Sequence, residues 1–183
     1  MTLRSIVLAG LLAACPLLIA TDAMAQAAAP APAASHRPRN WTPLSYKIYA
    51  QTLCDEIMAK HPELISATFH GVPPGLDKVY TMFAGSNPER VGNTDDPDDV
   101  DVSVKGITII DPRWHRNDPA KKFVVMMPLR NVAHENIGLI VFAYKSPPND
   151  PKSEIRYFTD ATAIRDGLEP KIPSYGDLFK PAG

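Results

Sequence analysis

Arg113-Trp114-His115-Arg116 is the densest cluster of recognition chemistry in the chain. Arginine offers carboxylates a two-pronged fork, and tryptophan offers a flat wall or a cation–π face. The cluster follows a short apolar stretch. Two placements fit it: a loop that closes over a pocket, or a solvated loop with Trp114 pinned to the surface. His70 is the second candidate. It alternates with Ser66 and Thr68, which puts three polar side chains on one face of an extended segment. There it either donates to a carboxylate ligand or braces the Pro73-Pro74-Gly75 turn. With Tyr80 added, the residues expected to orient a ligand are His70, Tyr80, Arg113 and His115, walled by Trp114.

No reaction is written into the sequence. It contains no Gly-x-Ser-x-Gly elbow. Cys54 lies at the edge of a helical apolar stripe, where a buried structural thiol is expected. His36, His61, His70, His115 and His134 form no His-x-x-x-His pair. Zinc, covalent haem and other cofactors are therefore not expected. The acids from Asp95 to Asp101 could attract calcium, but they lack the alternating ligands and the glycine of an EF-hand loop. Asp96-Pro97 reads instead as a capped helix start, with Asp98 and Asp99 at the favourable end of the helix dipole.

The 183 residues suffice for one domain with a core. A net charge of -1 and the lack of a dense Lys/Arg run argue against nucleic acid as a partner. Arg4, the apolar run Ser5 to Ala20 and Ala23-Met24-Ala25 read as an export signal cut before Gln26. The run is too short for a confident membrane span. Leu12-Ala13-Ala14-Cys15 also resembles a lipoprotein box. Pro16 and the further apolar residues after Cys15 favour simple cleavage. Cys54 is then the lone cysteine and forms no internal disulfide. Residues 26–40 are rich in Ala and Pro and read as a flexible tether. The organisation is thus a signal peptide over 1–25, a linker over 26–40 and one domain over 41–183, located in the periplasm or secreted.

The elements that must position the candidates follow from periodicity. Thr42 and Pro43 suit a helix start, and Tyr46, Tyr49, Ala50, Leu53 and Ile57 form its apolar face. His61-Pro62 ends it. Leu64 to Val72 alternates, with Ile65, Ala67 and Phe69 on one face. Lys78 to Ala84 is a second strand. A short helix follows Asp96 and stops at Gly106. Strands are expected at Ile107 to Ile110, Phe123 to Leu129 and Ile137 to Tyr144. The last is apolar almost throughout, as a central strand covered on both faces is. Lys152 to Asp166 reads as a helix. This order predicts an α+β domain on an antiparallel sheet.

With these elements placed, the sequence resembles the Cache-type extracellular sensor domains, whose fold is PAS-like, and a group of small exported proteins with one such domain. The residues that carry the likeness are His61-Pro62-Glu63-Leu64, His70-Gly71-Val72-Pro73-Pro74-Gly75 and Ala84-Gly85-Ser86-Asn87. They continue through Val91-Gly92, Asp96-Pro97-Asp98-Asp99, Pro128-Leu129-Arg130 and Ile137-Gly138. They end with Ala161-Thr162-Ala163-Ile164-Arg165-Asp166 and Ile172-Pro173-Ser174. The resemblance implies a five-stranded antiparallel sheet with a long N-terminal helix on one face and a ligand pocket on the other. A short connecting helix and a C-terminal helix complete it. One departure is the turn Asn131 to Asn136, where a glycine is usual; His or Asn tolerates the left-handed conformation best.

The function expected is a free-standing, non-catalytic binding module for a small polar or anionic molecule. A membrane signalling protein is a further candidate partner. A ligand-free adaptor and a small exported enzyme are the alternatives.

Overall fold

The computed structural model describes residues 37–111, 122–145 and 151–183. Three α-helices and five strands follow the chain as α1 (Tyr49–Lys60), β1 (Leu64–Gly71), β2 (Thr81–Gly85), α2 (Pro97–Lys105), β3 (Ile109–Asp111), β4 (Lys122–Arg130), β5 (Asn136–Lys145) and α3 (Pro151–Leu168). The strands form one antiparallel sheet of order β2-β1-β5-β4-β3. The architecture is the expected α+β one, and β5 occupies the expected central position.

The continuous apolar run of β5 follows from that place. Ile140, Phe142 and Tyr144 enter the larger core, while Leu139 and Ala143 enter a smaller one on the opposite face. β4 divides in the same way: Phe123, Val125, Met127 and Leu129 against Val124 and Met126. Helices α1 and α3 cover the first face. Among the described residues, only the short α2 covers the second, through Val102. Full burial of one such side chain contributes roughly 1.5–3 kcal/mol, so most of the stability lies on the α1/α3 side. The other face is left for polar groups.

Three local expectations are corrected. Helix α1 starts at Tyr49, not after Thr42. The preceding residues are drawn into tertiary pairing: Asn40 and Trp41 donate to the Gly92 carbonyl, Ile48 bridges Pro181, and the Tyr49 N–H donates to Lys180 at 2.9 Å. Tyr46 is therefore half exposed and off the helix, while Ala50, Leu53, Cys54 and Ile57 are buried as the stripe required. In β1, Ile65 does not share the core face with Ala67 and Phe69. Leu64 pairs Tyr144 and Ser66 pairs Ala143, so Ile65 is the extra residue of a bulge and points to solvent. The bulge restores Leu64 to the core face. Strand β2 begins at Thr81 because Lys78 takes a left-handed conformation (φ 56°) that breaks the ladder.

Two turns form as expected. Gly106 ends α2 at φ 67°. His134 takes the left-handed position (φ 63°) between β4 and β5, where Asn131 Oδ1 accepts from the N–H groups of Ala133 and Glu135 at 3.0 Å each.

Candidate functional site

Strand alternation sends Ser66, Thr68 and His70 of β1 to the face covered by α2. They line a partly open cavity of about 50 Å³. Lys122 and Val124 of β4, Val141 and Ala143 of β5, and Arg37, Arg90 and Asp99 complete its wall. Asp99 arrives on the first turn of α2, where Asp96 and Asp99 form a capping box: the Asp96 N–H donates to Asp99 Oδ2 at 3.0 Å. Asp98 accepts from the Asp99 N–H at 3.1 Å. Capping therefore accounts for much of the acid cluster. The Asp96 carboxylate also pairs with Arg37, which fixes residues 37–40 against the domain. Arg39, Asn40 and Trp41 extend that seam along Asn93 and Gly92.

His70 is buried and engaged at both ring nitrogens. Nδ1 lies 2.7 Å from Asp95 Oδ1, and Nε2 lies 2.7 Å from Thr68 Oγ1. The Asp95 side chain is fully enclosed. Its Oδ2 is buried without a hydrogen-bond partner among the described residues. The loop holding Asp95 is pinned by its own N–H, which donates to the Tyr80 carbonyl at 3.2 Å, and by a bridge between Thr94 and Thr81.

Burial depresses the basicity of His70, but the charge of Asp95, its hydrogen bond and the charge of Asp99 outweigh this, so the pKa lies above the ordinary histidine range. Asp99 is pushed above the carboxylate range by burial; the nearby His70 opposes this and Asp95 reinforces it. For Arg90, burial and then Arg37 weaken the hold on the proton. A guanidinium stays charged through such a shift. Arg90 makes no ion pair or hydrogen bond through its side chain among the described residues. The cavity wall thus carries more positive than negative charge.

Of the residues singled out from the sequence, His70 is in this site. Tyr80 is half-buried and outside the cavity wall; it serves through its carbonyl, which also accepts from Asn40 Nδ2 at 2.8 Å. Arg113, Trp114 and His115 lie outside the described residues. Sequence reading missed Arg37, Arg90, Asp95, Asp99 and Lys122 as neighbours of His70. The one available signal was Asp95 preceding the capping Asp96, one residue too early to serve that cap.

Several larger grooves lie elsewhere among the described residues, two of them prominent. One, of about 380 Å³, runs between α1 and α3, and its Glu56 and Lys171 pair with each other at 2.9 Å. The other, of about 450 Å³, is mainly apolar, between Trp41, Leu44 and Tyr46 on one side and Phe83 and Val91 on the other. Among the described residues, the charged side chains lining these two grooves are paired, except Asp160. Size alone does not mark the site.

No family model matches the sequence, and no curated protein matches it. Among solved structures, the chain is similar to the type II free methionine-R-sulfoxide reductase of Thermoplasma acidophilum, at 15% identity and a TM-score of 0.42, over 72% of this chain and 93% of that one. It is similar to the GAF domain of an Acinetobacter phosphoenolpyruvate-protein phosphotransferase, at 12% identity and a TM-score of 0.45, over 68% and 83%. It is also similar to the sensor domain of E. coli DcuS, at 14% identity and a TM-score of 0.37, over 60% and 72%. At these identities and TM-scores the likenesses assign neither a family nor a role; the five-stranded antiparallel sheet stands on the chain's own strand pairing. No helix among the described residues is long and apolar enough to cross a membrane.

Proposed function

We propose that this domain is an exported, Cache-like binding module that takes a small anion on the α2-covered face of its sheet. The carrying observation is Arg90: a partly buried guanidinium without a side-chain hydrogen-bond partner among the described residues, on a wall shared with Lys122, His70, Ser66 and Thr68. Such a group favours an anion that supplies charge-assisted hydrogen bonds. Ser66 lines the same wall, so a neutral hydroxyl residue stands beside the charged ones. A cavity of about 50 Å³ holds little more than one or two waters, at ≈ 30 Å³ each. The ligand therefore inserts a carboxylate-sized group and keeps its remainder outside. The export signal read from Arg4, the apolar run and Ala23-Met24-Ala25 supports a location in the periplasm or outside the cell as part of this proposal.

The module is read as non-catalytic. Cys54 is fully buried, and burial followed by the charge of Asp55 pushes its thiol up to about 12. That thiol is no nucleophile near neutral pH. The small cavity favours a second reading, a ligand-free adaptor that uses the fold to meet a membrane signalling protein.

Thermal-shift titration with small mono- and dicarboxylates separates the two. Under the first reading one of them raises the unfolding midpoint, and Arg90→Ala weakens that ligand about tenfold or more. This follows from a charge-assisted bond worth roughly 1.5–3 kcal/mol. No shift with any carboxylate leaves the adaptor reading.

A further inference from the structure

His70, Asp95 and Asp99 bring a ring nitrogen and two carboxylate oxygens within 4.8 Å of one another. The three come from different elements: β1, the loop before α2, and the first turn of α2. One of the carboxylates is wholly enclosed, yet Asp95 Oδ2 has no hydrogen-bond partner among the described residues. An unpaired buried carboxylate oxygen is costly, and in a native protein it calls for a donor or a cation. Near it stands the second buried carboxylate, Asp99.

We propose that His70, Asp95 and Asp99 form a binding site for a divalent transition-metal ion of the zinc type. One imidazole and two carboxylates suit such borderline ions. Calcium is disfavoured because it needs 6–8 oxygen ligands at 2.3–2.6 Å, and the cavity beside the cluster is only about 50 Å³. Zinc bonds of about 2.0–2.2 Å require the three donors to close in slightly. In doing so His70 exchanges its hydrogen bond to Asp95 for a bond to the ion, and Asp95 Oδ2 gains its missing partner. Three protein ligands leave a coordination position open. His70 and Asp99 also line the anion cavity, so that position is adjacent to it. The opposing influence is the positive charge of Arg90 and Arg37; Arg37 is already paired with Asp96.

The metal site does not rest on the anion-binding reading, because Arg90 and Lys122 can hold an anion with or without an ion at His70. The test titrates zinc alone into the chelator-treated full chain and follows it by calorimetry. The expected result is a saturable site that Asp95→Asn and Asp99→Asn each weaken by more than the roughly 10–100-fold that changes to outer-shell partners cause. Asp101→Asn, on α2 but outside the cluster, leaves it unchanged. Equal affinity in wild type and Asp95→Asn, or no saturable site, overturns the proposal. If the Asp95 variant does not fold, anomalous diffraction from zinc-loaded wild-type crystals decides. An ion bonded to His70 and the two carboxylates supports the site, and an ion held only by other residues overturns it.

Discussion

Gly138 of β5 lies directly beneath the carbonyl of His70: a Cβ at position 138 would stand 2.6 Å from that oxygen. The backbone at Gly138 has φ 149°, a conformation side chains rarely adopt. The central strand thus approaches the site strand closely only because a side chain is missing. Gly138→Ala must push β1 away from β5 at the residue that carries the imidazole. The expected cost is about 1–3 kcal/mol, as for other overpacked interiors, measured by denaturant unfolding. An unchanged midpoint would show that the two strands separate freely there.

The pairing of His70 with Asp95 also sets a pH dependence. The groups facing the ring are Asp95, Asp99, Arg90 and Thr68. Its folded pKa is raised above the unfolded value near 6.5. The stabilisation is therefore fully present below about pH 6.5 and is lost as pH rises through the folded value. Asp99, also raised, acts in the same direction from the ordinary carboxylate range upward. In chelator-treated buffer the unfolding free energy should fall as pH rises above about 6.5. Asp95→Asn should flatten that slope. A wild-type profile that rises over this range would refute the pairing.

The strands and helices were largely legible because burial patterns are local. Leu53 and Ile57 repeat at helical spacing, and the run from Ile137 to Tyr144 announces a strand covered on both sides. The start of α1 was not legible. Thr42-Pro43 is a good local cap, and what overrides it is pairing of Ile48 with Pro181, over a hundred residues away. The bulge at Ile65 was hidden for the same reason, since it exists only in relation to Tyr144 and Ala143. Of the site, the polar face of β1 could be read from alternation. Its partners could not: Arg90, Asp95 and Asp99 reach His70 through the return of the chain around β2, and no spacing in the sequence encodes that return.

The core face makes the last prediction. Cys54 is buried on α1, with Sγ 3.4 Å from the Ala67 carbonyl and its thiol pushed up to about 12. At pH 8 the buried native thiol carries far less thiolate than the unfolded chain, where the ordinary pKa of about 8.5 leaves a sizeable fraction ionised. The sulfur is also closed to reagents until α1 lifts from β1, so modification must wait for local or global opening. With Cys15 substituted by serine, a thiol reagent should label the native protein on the order of a thousandfold more slowly than the denaturant-unfolded chain. Leu53→Ala removes a neighbouring core side chain on the same helix and should cost about 2–5 kcal/mol. That variant should label faster in proportion to its lost stability, because opening limits the reaction. Rapid labelling of the wild type under native conditions would mean that α1 does not seal this side of the sheet.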